Sequence, residues 1–151
     1  APGETARTLY GKHLSALKEL LPEALALVES GTARRIAQDH SLATYCAKRT
    51  ADDGLIDWRE PAKDILRLVR AVGDPYPGAF THHKGERMVI EAAALFPRSD
   101  RYIGLAGQVQ CHTDEGFVVL CGDGICIEVT QWRCTSEGRP RVHVKLGGAD
   151  R

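Results

Sequence analysis

The sequence has no surplus of either charge: 20 Lys and Arg residues balance 20 Asp and Glu over 151 residues. A protein held to nucleic acid chiefly through phosphates carries a basic excess, because that electrostatic contribution dominates its affinity. Neutrality lowers the expectation of RNA or DNA as the chief partner, while leaving room for a local basic patch. No run approaches the roughly 18 apolar residues of a membrane span, so no membrane partner is expected. The opening Ala1-Pro2-Gly3-Glu4-Thr5 lacks the basic stretch and apolar core of a secretory leader. It also lacks an initiator Met, and the chain reads as a fragment or a processed piece. No CxxC pair occurs among Cys46, Cys111, Cys121, Cys126 and Cys134, and their number is odd. That pattern argues against a disulfide framework and against a zinc site. The last four lie in strand-like runs, where a free Cys behaves as a small buried hydrophobe, and such usage fits the reducing cytoplasm.

What is present divides by period. Leu9, Leu14, Leu17, Leu20, Leu21, Leu25 and Val28 recur at helical spacing, which predicts a helix over residues 5–30. Pro22 removes a backbone donor and is expected to kink this helix or start a second one. Ser30-Gly31 ends it, with Gly suited to the left-handed position after a helix. Residues 32–57 show no sustained period and read as an extended connector. A second helix is predicted over 61–72: Pro61 suits a first turn, and Ile65, Leu68, Val69 and Val72 form its apolar face. Gly73-Asp74-Pro75 stops it.

From residue 79 the period becomes two. Strands are predicted at 79–83, 86–95, 106–112, 116–121 and 124–133, with a weaker one at 141–146. Lys84-Gly85, Asp114-Glu115-Gly116 and Gly122-Asp123-Gly124 supply the turns between them. Short strands about ten residues apart suggest an antiparallel sheet or a small barrel.

A series of motifs in fixed order makes this layout specific. Gln38-Asp39-His40-Ser41-Leu42-Ala43-Thr44-Tyr45 is followed by Ala47-Lys48-Arg49, then by Asp52-Asp53-Gly54-Leu55-Ile56-Asp57-Trp58. After the second helix comes Val69-Arg70-Ala71-Val72-Gly73-Asp74-Pro75-Tyr76-Pro77-Gly78-Ala79-Phe80, and Cys121-Gly122-Asp123-Gly124 precedes the last long strand. This order resembles the region that follows the catalytic domain in the methionyl-tRNA and sugar formyltransferase family, over roughly residues 5–133. The resemblance implies an α+β chain. A helical lead-in and connector over 1–57, descending from a missing catalytic domain, would precede a C-terminal domain over 58–151. That domain would hold a bridging helix and a small antiparallel OB-like open β-barrel over 74–146. It also implies formyl transfer from 10-formyltetrahydrofolate to a primary amine in the full-length protein, with the N-terminal catalytic domain as partner.

Within the family, residues 70–80 look most like the enzymes acting on UDP-linked 4-amino-4-deoxy-arabinose, and the neutral charge agrees. An amino-sugar nucleotide is therefore the first expectation for the acceptor, and tRNA is the alternative. A stand-alone OB-like binding module is a third reading. It is weakened because Phe80, Phe117 and Trp132 are the aromatics on the strands and no basic array accompanies them. The family's catalytic Asn, His and Asp belong upstream, so no catalytic residue is assigned, no cofactor is expected on this fragment, and the fragment alone is expected to be inactive. Residues 135–151, including Gly147-Gly148 and the terminal Arg151, match no family element.

Four residues are candidates for touching substrate: Asp53, Asp57, Trp58 and Tyr76. Carboxylates beside an aromatic can orient an amine or hydroxyls. The simpler reading is that Asp57 initiates the following helix, Trp58 packs its base and Tyr76 plugs the passage into the barrel. Gly122-Asp123-Gly124 reads as a tight turn rather than a phosphate loop, lacking a following helix or Lys. His82 and His83 point to opposite faces of a strand and do not suggest a metal site. Lys63, Arg67 and Arg70 form a basic stripe that reads as a solvated helix face.

Overall fold

The computed structural model describes residues 3–135 and 138–147. Ala1, Pro2, Gly148 and Arg151 lie outside the described residues. The chain divides into two units, one of residues 7–49 and one that holds everything from Thr50 onward with the first six residues.

The smaller unit is dominated by helix α1, Ala6–Glu29. Pro22 lies inside it, and the helix continues past that residue instead of starting again. The missing N–H removes one bond from the ladder, and Leu20, Leu21, Ala24 and Leu25 around it are strong helix formers. The helix ends as its sequence implies: Gly31 has φ +70°. Gly31 N–H then reaches Val28 O at 3.1 Å and Thr32 N–H reaches Leu27 O at 3.0 Å, the paired closure that satisfies the last carbonyls. In the connector, Asp39 caps a short 3-10 turn at His40–Leu42, accepting from Ser41 N–H at 2.9 Å.

The larger unit carries a 3-10 turn at Ala51–Gly54, helix α2 at Ala62–Val72, and five strands. These are β1 (Ala79–His83), β2 (Glu86–Leu95), β3 (Val109–His112), β4 (Phe117–Leu120) and β5 (Cys126–Arg133). The sheet is antiparallel with order β1-β2-β5-β4-β3, so the fold is α+β with a small open barrel. Lys84 and Gly85, at φ +52° and +75°, make the two-residue turn between β1 and β2. Positive φ at both positions gives the backbone twist that matches paired strands. All four residues of β4 are buried. One face meets the main core through Phe117 and Val119. The other meets a second cluster, in which Val118 and Leu120 pack with Phe96 and Cys126. A strand covered on both faces reads as a continuous apolar run, which is why its alternation is weak in the sequence.

Helix α2 packs Ala62, Ile65, Leu66 and Val69 into the core, with Leu68 and Val72 partly buried against it. Its first amide, on Ala62, donates to the Asp123 carboxylate at 3.1 Å. The expectation that Asp57 initiates α2 is thereby corrected. Asp57 closes only the tight turn before the helix, accepting from Arg59 N–H at 2.9 Å. The start of α2 is capped instead from the turn between β4 and β5.

The weak strand expected at 141–146 is not a sheet strand. It makes one bridge, Gln108 with Lys145, and a run of single hydrogen bonds. Val109 N–H reaches Val144 O at 2.9 Å, and Leu146 N–H reaches Gly107 O at 2.8 Å. Gly147 N–H then reaches His82 O, in β1, at 2.9 Å. The segment thus ties the β3 side of the sheet to β1. Backbone groups that an open barrel would leave bare along its two edges find partners there.

Candidate functional site

Trp58 lies at this seam. The turn at 57–60 directs its indole inward, and the ring is 4% exposed. Its Nε1–H donates to Thr81 Oγ1, itself fully buried, at 2.9 Å. A Cβ on Gly107 would lie 3.1 Å from the indole, and one on Gly147 would lie 3.2 Å from it. Both glycines have positive φ, +83° and +75°. The seam therefore closes over Trp58 only where the facing backbone carries no side chain.

A pocket of about 380 Å³ opens beside this ring. Trp58, Ile56 and Leu146 give it apolar walls, while Asp57, Arg59, His82 and Lys145 supply polar groups. Arg59 grips the Asp57 carboxylate through Nε at 2.9 Å and through its terminal nitrogen at 2.6 Å. With the Arg59 backbone N–H, this grip holds the Asp57 carboxyl down at about 2. His82 sits edge-on to Phe80, with ring centroids 5.7 Å apart. The pocket therefore offers one carboxylate already charged at neutral pH, an ammonium, an imidazole and an aromatic wall. Such a set can orient hydroxyls, amines or an anionic group by hydrogen bonding and charge.

Of the four residues singled out in the sequence, Asp57 and Trp58 line this pocket and Asp53 and Tyr76 do not. The Asp53 carboxylate accepts from the Thr50 hydroxyl at 3.2 Å, within the turn at 51–54. Tyr76 is 59% exposed, so the expectation that it plugs the passage into the barrel is corrected. The Tyr76 backbone N–H bonds Gly73 O at 3.0 Å, and a tight turn leaves its ring in solvent. Lys145 belongs to the site without having been picked out, and His82, considered in the sequence only as a metal ligand, belongs to it too. The alternation of β1 placed His82 on the face away from the buried His83, but nothing local marks Lys145 as its neighbour.

On the basic stripe, Arg67 pairs with Asp64 at 2.7 Å and Lys63 is exposed. Cys121 and Cys126 are buried, Cys111 and Cys134 are half-buried, and burial pushes the Cys121 thiol up to about 12. Among the described residues no three His, Cys, Asp or Glu side chains are grouped to hold a metal ion. Among them, too, no helix is long and apolar enough to cross a membrane.

A sheet curled into a small barrel, a helix docked on it and a Trp-lined seam behind an Asp-rich turn define a class. The family model for the formyl transferase C-terminal domain matches residues 48–142, more than half of the chain. The chain belongs to that family. Among curated relatives, a methionyl-tRNA formyltransferase from Akkermansia muciniphila is 37% identical over 124 residues. That alignment covers 80% of this chain and 39% of the relative, so the chain spans about two fifths of that protein. Among solved structures, a variant of HypX from Aquifex aeolicus superposes with a TM-score of 0.62 at 22% identity, covering 83% of this chain and 22% of HypX. HypX in complex with tetrahydrofolic acid superposes with a TM-score of 0.58 at 24% identity, covering 78% of this chain and 20% of the other. At these identities the HypX structures share the fold.

Proposed function

We propose that this chain is the acceptor-side domain of a formyltransferase that moves the formyl group of 10-formyltetrahydrofolate to a primary amine. It works beside an N-terminal catalytic domain, which binds the folate and supplies the catalytic Asn, His and Asp. The acceptor is a small amine, a nucleotide-linked amino sugar. The observation that carries this choice is the distribution of charge. Residues 50–151, which hold the barrel, contain 13 Lys and Arg against 15 Asp and Glu. Of the basic residues there, Arg59 and Arg67 are already committed to carboxylates, and Arg133 meets one through Nε alone. A surface that neutralises several RNA phosphates needs unpaired cations in surplus.

Methionyl-tRNA is the second reading, favoured by the 37% identity to a methionyl-tRNA formyltransferase. On that reading the RNA would meet residues 7–49, where seven basic residues outnumber four acidic ones. Arg34-Arg35 and Lys48-Arg49, all exposed, form two basic pairs in that stretch.

The test is a formyl-transfer assay of this domain joined to its catalytic domain, with 10-formyltetrahydrofolate and either UDP-4-amino-4-deoxy-arabinose or methionyl-tRNA. Transfer to the amino sugar and none to tRNA is expected. Transfer to tRNA alone overturns the acceptor, and transfer to neither overturns both readings. The 151-residue chain by itself should release no tetrahydrofolate above background.

A further inference from the structure

A second concavity, of about 560 Å³, lies on β2 and β5 and shares no lining residue with the seam pocket. Arg87, Val89, Trp132, Arg133 and Thr135 line it. In the register of the sheet, Phe80 pairs with Val89 and Val89 pairs with Arg133. Side chains two apart on a strand share a face, so Arg87 stands on the same face as all three.

The Arg87 guanidinium lies over the Phe80 ring, 3.7 Å from its centroid. Phe80 is 5% exposed and cannot move away. Stacking holds the guanidinium plane while leaving its in-plane N–H groups unspent. Among the described residues, none of these N–H groups meets a hydrogen-bond acceptor or a carboxylate. Arg133 is held differently, through Nε to Glu91. Its two terminal amino groups likewise have no acceptor among the described residues. Two guanidiniums, each fixed by one contact and each keeping donors free, thus share a groove in a unit with more acids than bases.

We propose that this groove binds a nucleoside phosphate. The phosphoryl group sits between Arg87 and Arg133, because planar guanidiniums present paired N–H groups that match two oxygens of one phosphate. Val89, on the same face, gives the ring body of the ligand an apolar floor, and the volume suits a mononucleotide. The inference stands on the groove alone and does not depend on which amine accepts the formyl group.

The experiment is calorimetric titration of the 151-residue chain at low salt with UMP, with uridine and with inorganic phosphate. Saturable binding of one UMP below about 1 mM is expected, with uridine weaker by about tenfold or more because the charge-assisted pair is gone. Arg87→Gln and Arg133→Gln should each weaken UMP by about tenfold, Arg87→Lys should lose most of the same affinity, and Lys63→Gln should change nothing. Thermal melts of each variant show whether it folds. Should Arg87→Gln not fold, Arg133→Gln and Arg87→Lys carry the test. The proposal is overturned if UMP does not saturate, if uridine binds equally well, or if folded Arg87 and Arg133 variants bind like the parent chain. It is also overturned if a uridine oligonucleotide binds these residues more than about a hundredfold tighter than UMP, since the groove would then be a nucleic-acid site.

Discussion

The indole Nε1–H of Trp58 donates to the hydroxyl of Thr81, 23 residues away in β1, and both groups are buried. This bond joins the turn before α2 to the strand on which the barrel seam closes. Losing the ring should cost more than losing the bond. Trp58→Ala removes a large buried side chain and should destabilise the chain by about 3–5 kcal/mol in a urea melt. Trp58→Phe keeps most of the packing but leaves the Thr81 hydroxyl without its donor, and should cost about 1–3 kcal/mol. Equal losses for the two variants would show that the hydrogen bond, not the ring, fixes the seam.

Gly107 faces the same ring from the other side. A methyl group there would lie 2.8 Å from Leu146 O, at a φ of +83° that L side chains rarely adopt. Gly107→Ala should therefore cost about 1–3 kcal/mol and loosen the 141–147 segment. Hydrogen exchange at Leu146 and Gly147 would show the loosening as faster exchange. Unchanged protection would mean that the segment is held independently of the seam.

Asp123 caps α2 from a distance of 61 residues. Asp123→Ala should lower stability by about 0.5–2 kcal/mol, in the range measured for capping side chains. The change should appear in the denaturation midpoint with little change in slope. A neutral result would assign the start of α2 to Pro61 and to burial of Ala62 alone.

Arg59 holds the Asp57 carboxyl at about 2, below its ordinary 3.8. A carboxyl depressed in the folded state contributes stability above its unfolded value and loses that contribution as pH falls from about 4 to about 2. The side chains of the pair are 84% and 42% exposed, so solvent screens the contribution and keeps it small. An NMR titration of the carboxyl is the suitable readout. Arg59→Gln should move its midpoint up toward the ordinary value. No movement would mean that the backbone N–H of residue 59 sets the shift.

The elements whose signals are local were legible in the sequence. Strand β2 spans Glu86–Leu95 as its alternation implies, and Lys84-Gly85 marks the turn before it. Trp58 was legible as a buried ring, but its partner Thr81 was not, because a hydroxyl 23 residues away leaves no periodic trace. The same limit hid the cap on α2. Asp123 reads as turn material, and only the tertiary fold brings it to Ala62. Residues 141–146 alternate polar and apolar like a sheet strand, yet they make only one bridge. They join the barrel through backbone groups, to which side-chain patterning is blind. Tyr76 misled for the opposite reason: an aromatic between two prolines suggests packing, yet the turn carries its ring into solvent. The Arg87 and Phe80 stack needs the β1–β2 register before either residue stands out.

The acceptor decides the account, and salt-dependent tRNA binding tests it most directly. With 13 basic and 15 acidic residues over 50–151, the barrel has no cationic surplus to spend on phosphates. In about 0.15 M salt, where screening leaves only close charge contacts, filter binding of the 151-residue chain to initiator tRNA should show no specific complex. Weak binding at low salt should fall away once Arg34, Arg35, Lys48 and Arg49 are made neutral. Binding at micromolar affinity or tighter in about 0.15 M salt would contradict the small-amine acceptor and make methionyl-tRNA the substrate.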